Sequence, residues 1–190
     1  SASLVGSEMC IRDSVYAAYK LADSVVSTRD YAKHHVSTKK INDHFGEGYH
    51  YEVTYTGNNL PVLVQSFYVY PTKDYVLTDF TLESTSEMAS NYMAPVNVDR
   101  MPEVLNQGEN NRALFIPFDN DCWIRYQSHP LTFTELTSYE VTAIFNNDDR
   151  EAMVIGSVEH DSWKTGITIG KGNILSLIHI SEPTRLALIS

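Results

Sequence analysis

Residues 46–83 read GEGYHYEVTYTGNNLPVLVQSFYVYPTKDYVLTDFTLE, and their spacing decides the fold. Tyr49, Tyr51, Val53 and Tyr55 alternate with His50, Glu52 and Thr54. This is a period of two in residue types that favour extended backbone. The run Thr56, Gly57, Asn58, Asn59 supplies a turn, because glycine and asparagine tolerate left-handed backbone. Residues 62–70 follow as a strand with Phe67, Val69 and Tyr70 apolar on both faces, as a sheet packed against another layer requires. Residues 71–74 punctuate, and residues 75–83 form a third strand in which Val76, Thr78, Phe80 and Leu82 share one face. Three such strands on short links make an antiparallel meander.

The pattern is weaker on either side. Residues 17–22 read as weakly helical or irregular from their apolar spacing, and residues 23–31 as extended. Residues 36–43, with Lys39 and Lys40, read as a loop leading into the meander. The neighbours His34 and His35 would point to opposite faces of a strand and read as solvated histidines rather than joint ligands. After the meander come a loop over 84–93, a short strand over 94–98 and a loop over 100–111. A turn is expected at 129–131, a strong strand at 138–145, a tight turn at 146–149 and a hairpin partner at 151–159. Residues 164–169 continue the sheet, and Gly46, Gly48, Gly170 and Gly172 read as turn glycines rather than a phosphate loop. Many short strands with little helix predict an all-β fold, an antiparallel two-sheet β-sandwich.

The chain carries 14 basic and 24 acidic residues, net −10, which disfavours nucleic acid or an anionic membrane as partner. No apolar run is long enough to span a bilayer. Residues 1–13 and 174–190 resemble translated sequencing-adapter DNA and are set aside from the fold, which leaves residues 14–173 as the β-sandwich domain. Cys10 falls in the first of these ends, so Cys122 stands alone and no disulfide or thiolate metal framework is expected.

Two acidic, tryptophan-bearing stretches are the candidate sites. Residues 111–126 read NRALFIPFDNDCWIRY, with Leu114, Ile116 and Phe118 on one face, Phe115 on the other and a bend at Pro117. Residues 154–166 read VIGSVEHDSWKTG. Asp119, Asp121 and Trp123 in the first, with Asn120, have the composition of a sugar site, since carboxylates bind hydroxyls and an indole covers a pyranose face. Capped turn residues beside a core tryptophan fit equally well. His160, Asp161 and Trp163 form the second cluster, beside Glu159. A histidine oriented by an aspartate can act as a general base, but sequence neighbours on a strand face opposite ways, and a polar strand end explains them as well. Carboxylate pairing for glycoside hydrolysis would require the two stretches to lie side by side. Two aspartates fall short of a calcium cage, so neither a metal nor a cofactor is expected.

The two stretches quoted above, together with GEGYHYEVTY and QSFYVYPTKDYVLTDFTLES, resemble the N-terminal β-sandwich of bacterial glycoside hydrolases related to α-galactosidases, over residues 43–170. The resemblance implies a supersandwich preceding a catalytic (β/α)₈ barrel, an incomplete sandwich here, and catalytic carboxylates outside this segment. It makes Asp119, Asp121, Trp123, His160, Asp161 and Trp163 substrate contacts and leaves no catalytic residue in this segment. Its implied partners are an α-galactoside or related oligosaccharide and the missing C-terminal barrel. Compartment is not readable from the residues; for the parent enzyme a periplasmic or secreted location is favoured. The other reading is a free-standing carbohydrate-binding or structural β-sandwich protein.

Overall fold

A computed structural model describes residues 15–98, 105, 110–118, 125–132, 134–159 and 164–170, and the backbone of residues 174–180. Among the described residues it is all-β, in antiparallel sheets, apart from a 3₁₀ turn at Thr28–Asp30. The chain divides into two compact units, one built on Tyr16–Ser90 and the other on Asn91–Thr184.

The first unit opens with β1 (Val15–Leu21) and β2 (Ser24–Ser27), an antiparallel hairpin. Here the expected helical or irregular stretch is a strand. Ala17, Ala18 and Tyr19 are buried in succession, so both faces of β1 are covered and the period-two signal of a half-exposed strand never arises. The meander follows as β3 (Lys33–Asp43), β4 (Gly46–Thr56), β5 (Val62–Val69) and β6 (Val76–Glu83), paired in that order. β3 replaces the loop expected over 36–43. It is an edge strand exposed at every residue but Ile41, so its sequence lacks the apolar alternation of a strand with one covered face. His34 and His35 are exposed on it, as expected. The 56–59 turn forms as read: Asn58 and Asn59 take φ of 57° and 55°, and the Leu60 amide donates to the Gly57 carbonyl at 3.2 Å.

Cross-strand register fixes the two faces of the meander. Lys40, Tyr49, Val69 and Val76 lie in one row, and Lys39, His50, Tyr68 and Leu77 in the next. The first face therefore carries Tyr49, Tyr51, Val53, Phe67 and Phe80, and the second His50, Glu52, Ser66, Tyr68 and Asp79. On the polar face the His50 ring is buried and stacked on Tyr68 at 4.5 Å. At one end of the unit the Tyr19 hydroxyl donates to Tyr31 at 3.0 Å, and Tyr31 donates to the Pro61 carbonyl at 2.7 Å. Burial holds the Tyr31 phenol far above its ordinary range.

The second unit contains β7 (Tyr92–Val98), β8 (Arg112–Phe115), β9 (Gln127–Pro130), β10 (Glu135–Tyr139), β11 (Val141–Asn146), β12 (Glu151–Gly156), β13 (Lys164–Gly170) and β14 (Ile174–Ile180). β10, β13, β14 and β7 run side by side, as do β12, β11, β8 and β9. The strand expected over 138–145 is two strands in two sheets: it breaks at Glu140, which takes a φ of 67°. Such a break lets one chain turn the corner between packed sheets. β13 accordingly pairs with β10 rather than prolonging the β11–β12 hairpin. Residues 127–130 form the edge strand β9, which takes in the first two residues of the turn expected at 129–131; Pro130 there lacks only a donor the edge does not need. The segment 174–180, set aside on sequence, pairs on one side with β13 and on the other with β7.

Val98, Ala113, Ile144, Ile167 and Ile169 form the core of this unit, drawn from β7, β8, β11 and β13. Both sheets contribute to it, which gives the sandwich-like packing. Polar side chains satisfy the backbone where β8 ends. The Ser138 hydroxyl accepts from the Ile116 amide at 2.7 Å, and the Thr142 hydroxyl donates to the Leu114 carbonyl at 2.6 Å. No described helix is long and apolar enough to cross a membrane.

Candidate functional site

The six expected contact residues, Asp119, Asp121, Trp123, His160, Asp161 and Trp163, lie outside the described residues. Their flanks are described. Phe118 immediately precedes Asp119 and Lys164 immediately follows Trp163. The Lys164 ammonium donates to the Phe118 carbonyl and stands 4.2 Å above the centre of the Phe118 ring. Phe118 also meets Tyr139 edge-on at 5.0 Å. The fold thus joins one flank of each cluster of candidate residues through a charge-assisted hydrogen bond and a cation–π contact.

The clearest assembled surface lies elsewhere, at the β3–β4 turn. Asp43 is the last residue of β3 and Gly46 the first of β4, which leaves His44 and Phe45 as a two-residue loop. Gly46 takes a φ of 117°, a conformation that favours glycine. One Asp43 oxygen accepts the Phe45 amide at 2.8 Å, and the other accepts the Tyr70 hydroxyl at 2.7 Å. Tyr70 follows β5, and Tyr75 stands beyond the 71–74 turn. The ring centres of Phe45, Tyr70 and Tyr75 lie between 5.9 and 6.3 Å apart, each pair tilted or edge-on. Phe45 and Tyr75 are 44% and 40% exposed, whereas Tyr70 beneath them is 1% exposed. The result is a small aromatic corner on a buried tyrosine, with a carboxylate at its base.

Tyr70 reaches its place because Gly48 gives it room. Gly48 was read as a turn glycine, but it lies within β4 and is buried. A Cβ there would stand 2.6 Å from the Val69 carbonyl oxygen and 2.7 Å from the Tyr70 ring. Glycine inside a strand marks such a close approach.

The hydrogen bond ties two ionisations together. The Tyr70 hydroxyl holds the Asp43 carboxyl below its ordinary 3.8, with the Phe45 amide assisting. Burial first, then Asp43, pushes the Tyr70 phenol from 10.0 up to about 12. Asp43, depressed in the folded state, contributes stability that is present above pH 3.8 and is lost as the pH falls through its folded value. Tyr70, raised in the folded state, contributes stability that is present below pH 10.0 and is lost as the pH climbs to about 12. Tyr70→Phe is therefore expected to flatten the stability profile at both ends. Thermal melts of the two proteins across pH check this, and superimposable profiles would refute it.

A shallow recess of about 270 Å³ lies among Asn110, Asn111, Arg112, Pro130, Asn147 and Asp148 in the second unit. Two of its polar groups bond each other, the Asn110 amide donating to Asp148 at 2.6 Å, and Arg112 donates outside the recess to Ser128. Its polar groups brace the β11–β12 turn. Among the described residues, no group of three or more histidines, cysteines or carboxylates is placed to hold a metal ion.

Neither protein-family models nor curated proteins show a match to this chain. That finding corrects the assignment drawn from resemblance: nothing ties the chain to glycoside hydrolase or α-galactosidase activity, or to carbohydrate metabolism.

Proposed function

We propose that this chain is a free-standing structural β-sandwich protein that acts by surface contact. The sandwich proper, in the finer sense of two facing sheets, is the unit built on Asn91–Thr184. The observation that carries the proposal is the apolar face of the meander. Tyr49, Tyr51, Val53, Phe67 and Phe80 share it across three strands, with Tyr51 37% exposed and Val36 54% exposed on the neighbouring edge. A soluble protein keeps such a surface most often for contact with another molecule.

One observation favours a second reading, contact with carbohydrate. Phe45 and Tyr75 offer ring surface above the Asp43 carboxylate, a pairing suited to a sugar's apolar face and hydroxyls. Affinity electrophoresis through gels cast with neutral polysaccharides separates the two. The structural reading expects equal mobility of wild type and a Phe45→Ala/Tyr75→Ala double variant in every gel. Retardation of the wild type that the double variant loses by about tenfold in apparent affinity would favour carbohydrate contact. Turnover of an aryl glycoside by the purified chain would overturn both.

A further inference from the structure

The meander ends in two unlike edges. β3 carries Lys33, Lys39 and Lys40, together with His34 and His35, while β6 carries Asp79 and Glu83. Among the described residues the ladder stops at these two strands. β3 is exposed along ten of its eleven residues, and Asp79, Thr81 and Glu83 are exposed on β6. An open edge of this length is a template for another strand.

Geometry decides which strand fits. Four antiparallel strands place β3 and β6 in opposite directions, so β6 of one copy lies antiparallel to β3 of a translated copy. The three ladders run without a register shift. Hydrogen-bonded and non-hydrogen-bonded rows alternate from one strand pair to the next. After three pairs, the outward amides and carbonyls of β3 and β6 therefore fall on side-chain rows of the same face. Copies can join edge to edge with every face kept in step.

Charge then selects the pairing. Odd-numbered residues of β3 and β6 share the polar face, which sets Lys33, His35 and Lys39 on one edge and Asp79 and Glu83 on the other. In the register that sets Asp79 opposite Lys39, Glu83 meets His35, Leu77 meets Ile41 and Leu82 meets Val36. In that alignment the ionic and apolar rows agree. Pairing β3 with β3 would bring lysines together, and pairing β6 with β6 would bring acids together. The like edges repel and the unlike edges attract, which is selection against the wrong partner.

We infer that copies of this chain associate head to tail through β6 of one and β3 of the next, extending the meander into a continuous antiparallel sheet. The backbone ladder supplies the affinity, as in strand addition, and the charges choose the edge. The contact is heterologous, so association is open-ended unless a rotation between copies closes it. This inference rests on the structural reading and names the surface through which that structure would be built.

Sedimentation velocity of the full chain over a range of concentrations tests it. Wild type is expected to form a concentration-dependent series of oligomers that weakens as salt is raised, because exposed charges are screened. Lys39→Glu and Asp79→Lys are each expected to raise the dissociation constant about tenfold or more. Glu83→Lys, which spares the Tyr68 contact of Asp79, should act in the same direction. An equimolar mixture of Lys39→Glu and Asp79→Lys should recover association, because each variant then offers the other an edge of opposite sign. Association that is unchanged in all three single variants would overturn the edge pairing and leave the structural reading standing, since copies would be meeting through another surface. A chain that stays monomeric at every concentration and salt would overturn both.

Discussion

Gly48→Ala is expected to destabilise the protein by about 3 kcal/mol, at the upper end of what overpacking a tight interior costs, and Gly48→Val by more. Two effects oppose each other. Alanine is intrinsically better than glycine in a strand by roughly 0.5–1 kcal/mol, because glycine loses more backbone freedom on folding. The new methyl, however, would stand 2.6 Å from a backbone carbonyl and 2.7 Å from a buried ring. The carbonyl belongs to Val69, which is held in register against Tyr49, so it cannot swing aside as a flexible side chain would. The clash wins. Denaturant unfolding measures the difference, and an alanine variant as stable as wild type would show that the Tyr70 ring does not need the space.

The second large effect is expected in the other unit. Ile167 is fully buried and packs with Val98, Ala113, Ile144 and Ile169. Ile167→Ala removes three carbons and leaves a cavity, at a cost of about 3–4 kcal/mol, while Ile167→Val should cost about 1 kcal/mol. The cavity cannot fill easily, because Ala113 is already small and its neighbours belong to paired strands. The measurement is the unfolding midpoint of both variants with the denaturant slope held constant. A loss for the alanine variant no larger than that for valine would mean that the two sheets collapse onto the gap and that the core is looser than its burial implies.

Residues differ in how openly they announced these arrangements. The alternation Tyr49, Tyr51, Val53, Tyr55 gave the meander away because local spacing and tertiary packing agree there. β1 was hidden because burial on both faces erases alternation, and β3 because an edge exposed on both faces has no apolar side to mark it. The corner at Glu140 left no signal either. Glutamate is not a residue that advertises positive φ, and 138–145 is apolar enough to pass for one strand. The aromatic corner was illegible for another reason: Asp43, Phe45, Tyr70 and Tyr75 are brought together by strand pairing across a separation no motif scan joins. The two acidic clusters were conspicuous by composition, and beside them the fold adds the contact between Phe118 and Lys164.

Glu140 has a mechanical meaning. Its amide donates to the Thr165 carbonyl of β13 at 2.8 Å, and its own carbonyl accepts the Ser157 amide, just past β12, at 3.0 Å. It also closes the step from β10 to β11 by a single residue. A pull applied along one sheet is thereby handed to the other through a rivet one residue long, with no slack loop to lengthen first. Under tension the two layers should yield together, in one event rather than two.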